Sequence, residues 1–235
     1  LSSQSSSELM DITDNPQEIT DTMLQVTPVI RSITFIVTDR VYQRLPKTVT
    51  AKLGVTAQQA MQRGKDEAYL ATFASATTTL SGTGTTLAAG IIRSAARRIT
   101  SNTNEGATSK ICTILHGYPI KDLEDELSAG VGTYPIEGGL TEDVYRNGFR
   151  GRIATTDLYE DGNITIDSTP DARGAVHAKE GILMIQGHSI RTEVLRRPGF
   201  GGGADQMFIH DEEAFGERSP GNWLYGILCN ATAPN

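Results

Sequence analysis

The sequence predicts a mixed α+β fold in which one long helix and a late set of strands flank a region of alternating helices and strands. Three observations support this prediction. Residues 48–75 repeat small and apolar side chains at spacings of three and four, residues 87–128 alternate between helical and strand patterns, and most segments after His177 are strand-like. With 235 residues, 38% of them hydrophobic, the chain can bury a substantial core.

The first 38 residues predict a long β ribbon. A short polar arm, SELMDI, leads to an Asp-Asn-Pro turn at 14–16, and a return arm rich in Thr, Val and Ile runs over 19–38. An isolated hairpin is marginally stable in water, so we expect this ribbon to lie on a partner.

Charge is unevenly distributed along the chain, which has a net charge of −7. Residues 1–30 contain five acidic residues and no basic one, whereas residues 31–110 contain eleven basic and four acidic residues. The overall sign argues against a dedicated nucleic-acid-binding surface that covers the molecule. The asymmetry is compatible with ordinary solubility or with an acidic arm lying on the basic body of another copy.

The long helix is predicted over 48–75, after Pro46. Its expected buried stripe is mostly Ala and Gly, which predicts a closely approaching sheet beneath it. The stripe consists of Val49, Leu53, Ala57, Ala60, Met61, Gly64, Ala68 and Ala71.

A glycine-threonine turn, SGTGTTLAAG, raises the question of a phosphate site at 82–90. No lysine follows Gly82, Gly84 or Gly90 as a P-loop requires, and Leu87 stands where a dinucleotide fold has its third glycine. We therefore predict a turn in which Thr85 or Thr86 caps a helix over 87–99.

The remaining elements follow from local patterns. We predict a strand at 111–116, a helix at 119–128 with Leu123 and Leu127 inward, and short strands at 151–156 and 163–167. Longer strands are predicted at 177–187, 189–197, 205–212 and 222–231, with 198–205 as a hairpin tip.

No catalytic, cofactor-binding or metal-binding residue is predicted. His116, His177, His188 and His210 lack metal-ligand spacing, although the His210–Glu213 segment leaves a divalent cation open as an alternative. Ser168, Ser189 and Ser219 lie in polar turns without a visible base, and Cys112 and Cys229 are expected to be buried free thiols. No apolar stretch approaches eighteen residues, so no membrane span is predicted.

Several segments, in their order and in their residue sequences, resemble the major capsid proteins of tailed bacteriophages. These proteins have the Hong Kong 97 fold, which encapsulins share. The segment TPVIRSITFIVTDRVYQRLP followed by AKLGVTAQQAMQRGKDEAYLATF resembles the passage from extended loop to spine helix, with Val37, Thr38 and Asp39 before the helix. SGTGTTLAAGIIRSAARRI is similar to the entry into the axial domain, followed by CTILHGYPIKDLEDEL. HAKEGILMIQGHSIRTEVLRRP is similar to the return into the peripheral domain.

The resemblance implies a domain organisation. Residues 1–38 would form an extended loop lying across a neighbouring subunit, residues 39–76 and 187–235 a peripheral domain with spine helix 48–75, and residues 77–186 an α/β axial domain. We match no residue to the N-terminal arm that family members generally carry, nor to the lysine and asparagine that crosslink one relative.

The resemblance also implies the function. The protein would be a non-enzymatic structural protein without a cofactor, forming pentamers and hexamers of an icosahedral phage head around double-stranded DNA that it contacts non-specifically. It would assemble in the host cytoplasm, reside in the virion, and meet a portal and a decoration or cement protein. The alternatives are an encapsulin-type compartment shell or a nucleotide- or metal-dependent enzyme.

Overall fold

The computed structural model describes residues 25–44, 47–102, 106–130, 151–153 and 155–234, and at 47–51 and 127–130 only the course of the helix. The described elements form a three-stranded and a six-stranded sheet, joined by one long helix. In chain order they are β1 Val29–Thr38, α1 Asp39–Arg44, α2 Lys47–Ala74, β2 Thr79–Leu80, α3 Ala89–Thr100, β3 Ile111–Leu115, α4 Gly117–Gly130, β4 Arg152–Ile153, β5 Thr156–Glu160, β6 Asp171–Ala178, β7 Ile182–Arg197, β8 Ala204–Glu217 and β9 Leu224–Asn230.

The three-stranded sheet is antiparallel in the order β1-β8-β7. β1 pairs along its whole length with residues 204–213 of β8, and β7 and β8 form a long hairpin whose tip is 198–203. One face of this sheet packs against the first half of α2, where Ala57 and Met61 meet Ile209. This small contact leaves most of the sheet outside the hydrophobic core.

The six-stranded sheet has the order β2-β9-β6-β3-β5-β4 and mixes parallel with antiparallel pairs. α3 and α4 cover one face through a core that includes Ile92, Ile99 and Leu123. The second half of α2 covers the opposite face with Leu70 and Phe73. Because both faces are covered, this half of the molecule contains its main core.

Helix α2 was predicted over 48–75 and is observed over 47–74, but the predicted buried stripe is only partly right. Ala57 and Met61 are buried, whereas Leu53, Ala60 and Ala71 are exposed. The side chain of Val49 lies outside the described residues. The helix contacts two sheets in succession, so no single straight stripe faces the core along all 28 residues.

The structure differs from the predicted extended loop over 1–38 at the C-terminal end of that loop. Residues 29–38 pair with β8 of the same chain, because their alternating Ile, Phe and Val side chains cover the helix-facing side of that sheet. The polar arm, the turn at 14–16 and the beginning of the return arm lie outside the described residues.

The late strands are distributed between the two sheets, which the prediction did not foresee. β7 is continuous through the predicted domain boundary at 186/187, with bulges near Gln186 and His188. β9 lies between β2 and β6 in the six-stranded sheet, away from the other late strands, since its alternate side chains enter the cores on both faces. The predicted peripheral segment 187–235 is therefore divided between the two sheets.

Two local predictions also need correction. The expected strand at 163–167 is reduced to a single bridge between Ile166 and Ala172, because the Asp167 carboxylate accepts backbone N–H groups of Thr169 and Asp171 and forms a turn instead. The strand expected at 151–156 is broken into β4 and β5, and Thr155 lies between them with a positive φ of 74°.

Candidate interaction surfaces

A buried charge cluster joins α2 to the three-stranded sheet. Lys65 of α2 lies 2.5 Å from Asp211 and 3.4 Å from Glu213, and Arg31 of β1 lies 3.5 Å from Glu213. Both carboxylate side chains are fully buried. Asp211 and Glu213 are two residues apart on β8, so both point toward the helix.

The acidic residues in this cluster favour the positively charged form of Lys65. Burial alone would lower the pKa of Lys65, but hydrogen bonding and attraction from Asp211, with a contribution from Glu213, outweigh it and raise that pKa. The two bases balance the two acids. The cluster therefore fixes α2 at one register on the sheet, since sliding would leave buried charges unpaired.

A second polar contact ties α2 to the six-stranded sheet. The Tyr69 hydroxyl is 2.6 Å from His177 Nε2, and the other ring nitrogen, Nδ1, is 3.0 Å from the Ala178 carbonyl oxygen. Nδ1 donates to that carbonyl, so Nε2 accepts from Tyr69. Phe73 and Phe215 pack against the Tyr69 ring, which brings α2, β6 and β8 together.

Exposed apolar side chains are concentrated in the three-stranded half. Ile30 is 66% exposed and Val194 is 60% exposed, whereas in the described six-stranded sheet Tyr159 alone is a large, exposed hydrophobic residue. Such an imbalance is typical of a surface that another protein covers. The exposed members on the three-stranded sheet and its tip are Val29, Ile30, Ile36, Leu183, Met184, Ile190, Val194, Leu195 and Phe200.

The outer face of this sheet, turned away from α2, has an exposed apolar side chain on each edge strand, with a polar residue between them on β8. Ile36 of β1 pairs with Gln206 of β8, which pairs with Leu195 of β7. Paired residues in antiparallel strands project to the same side, so Ile36 and Leu195 flank Gln206 there. Within the described chain, β1 and β7 are both edge strands of this sheet.

The side facing α2 also has unfilled apolar space. A cavity of about 300 Å³ lies between the first half of the helix and the sheet, lined by Gln58 and by apolar residues that include Phe35, Met61 and Ile190. At the far end of the hairpin, Arg196 forms ion pairs with Asp39 and Asp205 and lowers the pKa of Asp39. The tip is thereby tied to α1, while its Phe200 side chain projects into solvent.

A larger cleft of about 370 Å³ lies between the second half of α2 and the loop before β6. Its polar lining is engaged in internal contacts. The Asp171 carboxylate accepts the Gly84 N–H at 2.8 Å, and Arg173 donates to the Ala74 carbonyl at 3.0 Å. The Arg173 contact joins two residues that line the cleft.

The glycine-threonine turn has internal anionic partners. Gly84, with a φ of 69°, donates its N–H to Asp171. The first helical N–H, at Ala89, donates to Glu126 Oε2 of α4 at 2.8 Å. The predicted Thr cap is therefore wrong: α3 begins at Ala89, and the carboxylate of Glu126 occupies the position where an external anion would bind.

The His210–Glu213 segment is divided by strand alternation. His210 faces the outer side, where its Nδ1 is 2.8 Å from the Ser32 hydroxyl and its ring stacks on Phe208, whereas Asp211 and Glu213 face Lys65. No group of three or more His, Cys, Asp or Glu side chains in the described ranges has a metal-binding arrangement.

The other residues considered from sequence lie apart from one another. His116 contacts Tyr118, His188 is exposed at the bulge of β7, and His177 is buried as described. Cys229 is buried and free as expected, and burial raises its pKa to about 12; Cys112 is free but only half-buried. Leu123 is buried as predicted, and the side chain of Leu127 lies outside the described residues.

Sequence reasoning missed the Lys65 cluster and the Tyr69–His177 contact. Both depend on pairing between residues more than 100 positions apart, which periodicity does not reveal. The available signal was the alternation of Asp211 and Glu213 after Ile209, which places two acids on the core side of a strand.

Solved structures provide the comparison that decides the fold. The head structure of Helicobacter pylori bacteriophage KHP40 matches with a TM-score of 0.70 and 11% identity, covering 98% of this chain and 82% of that one. The capsid of cyanophage P-SCSP1u matches with a TM-score of 0.68 and 12% identity, covering 99% of this chain and 81% of that one. The chain has the Hong Kong 97 capsid fold.

One of the matching structures is an encapsulin. The holo-SrpI encapsulin complex from Synechococcus elongatus has a TM-score of 0.61 and 9% identity, covering 89% of this chain and 76% of that one. No protein-family model matches the sequence, and no curated protein matches it. In the described part of the chain, no helix is long and apolar enough to cross a membrane.

Proposed function

We propose that this protein is the major capsid protein of a tailed phage and assembles into pentamers and hexamers of an icosahedral head around double-stranded DNA. The observation that carries the proposal is the concentration of exposed apolar side chains on the three-stranded half of a Hong Kong 97 fold. Repeated burial of that surface would give a stable shell through many modest contacts.

The two sheets suggest how the domains are arranged. The three-stranded sheet with α1 and the first half of α2 would form the peripheral domain, with α2 as spine helix. The six-stranded sheet with α3 and α4 would form the axial domain around the five- and six-fold axes. β9 belongs with the axial elements in this assignment, because its hydrogen-bonding partners are β2 and β6.

The extended loop of the proposal is now shorter than the sequence predicted. Since 29–38 are paired within the chain, the segment that would lie across a neighbour is confined to residues before β1. Its five acidic residues would meet a predominantly basic body.

The role is structural, with no catalytic step. The protein would assemble in the host cytoplasm, reside in the virion, and contact a portal and a decoration or cement protein. An encapsulin-type shell is the second candidate, favoured by the encapsulin among the structural matches. Genomic neighbours discriminate between the two: terminase and portal genes accompany a phage head, whereas a cargo-enzyme gene accompanies an encapsulin.

Assembly can be tested with the two exposed apolar residues of the outer face, Ile36 and Leu195. We expect purified full-length protein to form closed shells in negative-stain electron microscopy, and Ile36→Asn with Leu195→Asn to sediment as small species. The matched control combines Ile36→Val with Leu195→Met, which keeps both positions apolar and should retain shells.

Folding of each variant is checked by its melting temperature. Both side chains are exposed, so their replacement should change unfolding little. The proposal is contradicted if the wild-type chain stays a folded monomer at high concentration, and the assigned surface is contradicted if the Asn variant still forms shells.

A further inference from the structure

One end of the molecule carries a group of exposed cations that the proposed packing surface does not use. They come from three segments: helix α3, the turn between β6 and β7, and the loop between β8 and β9. We call this group the basic corner. It consists of Arg93, Arg97, Arg98, Lys179 and Arg218, all of them exposed.

Hydrogen bonds hold the three segments together. Asn102, just after α3, donates to the Asn222 side chain at 2.8 Å. The backbone N–H of Arg218 donates to the Gly181 carbonyl at 2.9 Å, and Gly181 in turn donates to Ala178. The cations of the basic corner therefore belong to one connected surface.

Two of the arginines are positioned by aromatic rings. The Arg98 guanidinium lies 6.0 Å from the centre of the Tyr225 ring, and the Arg218 guanidinium lies 5.4 Å from the centre of the Trp223 ring. Trp223 and Tyr225 are two residues apart and both enter the same core cluster, so the rings lie on one face. A stacked guanidinium keeps N–H groups available for an anion.

The basic corner has few internal counter-charges. Within the described ranges, none of its five cations forms an ion pair at 4.0 Å or less. Glu217, the acid beside Arg218, is buried and accepts the Gly221 N–H at 3.0 Å. Glu180 is the remaining acid in these segments, so cations outnumber exposed acids here although the whole chain carries −7.

The composition of this surface favours a polyanion over a protein partner. The exposed side of α3 bears Arg93, Ser94 and Arg97, and the described part of the basic corner contains no exposed large hydrophobic residue. Protein interfaces have an apolar centre depleted of charge. Phosphate contacts instead use Arg, Lys and hydroxyl side chains.

We infer that the basic corner binds the phosphate backbone of duplex DNA and is the surface that the shell turns toward its packaged genome. The inference rests on the proposed function, because it names which surface of the capsid protein meets the DNA. Binding is independent of base sequence, since contacts between these cations and phosphate oxygens carry no sequence information.

The test measures binding of the unassembled full-length chain to a fluorescent duplex over a series of salt concentrations. Each lost phosphate contact reduces the slope of log affinity against log salt by about 0.9. Arg93→Gln with Arg97→Gln should therefore weaken binding and reduce the slope by about 2. These side chains make no ion pair in the described chain, so the fold is preserved.

A matched control is available at the other end of β8. Arg40→Gln with Arg44→Gln changes the net charge equally on α1, and should leave binding within twofold of wild type. Arg98→Gln with Arg218→Gln provides a second variant of the basic corner, with melting temperature measured because its cation–π contacts are lost.

The inference is overturned if wild type does not bind the duplex, or if the α1 control weakens binding as much as the corner variants. It is also overturned if the corner variants bind the duplex as tightly as wild type; if they then fail to form shells, the surface contacts another copy instead. Shell formation by wild type is scored separately in the electron microscope, so failure of the proposed function is distinguishable from failure of this inference.

Discussion

Single residues in this molecule secure α2 to two different sheets, and the Lys65 cluster is the attachment to the three-stranded sheet. Lys65→Met leaves Asp211 and Glu213 buried with Arg31 as their remaining cation. Removing one member of a buried charge group typically costs about 3–5 kcal/mol, and we expect the unfolding free energy to fall by about 3 kcal/mol. Urea denaturation measures this change.

The control for Lys65 lies on the same helix. Arg63→Met breaks an exposed ion pair with Glu67 and should cost less than about 0.5 kcal/mol. A Lys65→Met loss as small as the Arg63→Met loss would mean that the cluster does not hold the helix in register.

His177 gives the molecule a specific pH dependence at the other attachment. Burial lowers the pKa of His177 below its usual 6.5, so the folded state favours the neutral ring. The unfolded chain takes up a proton first as pH falls, and the unfolding free energy therefore decreases below about pH 6.5. In His177→Gln this decrease between pH 7 and 5 should be smaller.

The pH experiment compares thermal melts of the two proteins across that range. His188→Gln, at an exposed position on β7, is the control and should follow wild type. Parallel pH profiles for wild type and His177→Gln would show that the buried imidazole does not contribute.

At the scale of elements, α2 shows why small residues do not always indicate close packing. A methyl group at Gly64 would lie 3.8 Å from the flexible Arg31 side chain, an ordinary contact, so the close approach expected from sequence is absent there. Gly64→Ala should raise the unfolding free energy by about 0.5–1 kcal/mol, because Ala favours the helix.

Gly174 on β6 provides the opposite case. A methyl group there would collide with the Ile114 carbonyl and the Leu115 side chain, so Gly174→Ala should destabilise strongly. Denaturant melts of both variants test the pair, and a destabilised Gly64→Ala would restore the original packing interpretation.

The sequence predicts the local elements of the fold better than it predicts their pairing. Local periodicity predicted α2 to within one residue at each end, and turn chemistry predicted the β7–β8 tip. It did not assign β9 to the six-stranded sheet or pair 29–38 with β8, because those choices depend on long-range hydrogen bonds. Nor did it place Glu126 at the start of α3, since that contact spans 37 residues.

The whole molecule consists of a half with a complete core and a half whose apolar side chains remain exposed. The six-stranded sheet is covered on both faces, whereas the three-stranded sheet exposes apolar side chains on its outer face, strands and tip. Deleting residues 1–24 should therefore leave a folded body with nearly unchanged melting temperature but prevent shell formation. The deletion stops before β1, because removing 29–38 would break the pairing with β8.

Sedimentation velocity of this deletion, with melting measured alongside, tests the role of the leading segment. Intact shells from the deleted chain would show that the segment is not the strap between subunits. A deleted chain that unfolds would show that the body depends on it.

A cryo-electron microscopy reconstruction of the assembled full-length protein tests the capsid assignment and its packing surface together. We expect closed shells of pentamers and hexamers in which the outer-face side chains of Ile36 and Leu195 are buried against a neighbouring copy. Particles in which those side chains remain in solvent, or a chain that stays monomeric under assembly conditions, would contradict the assignment.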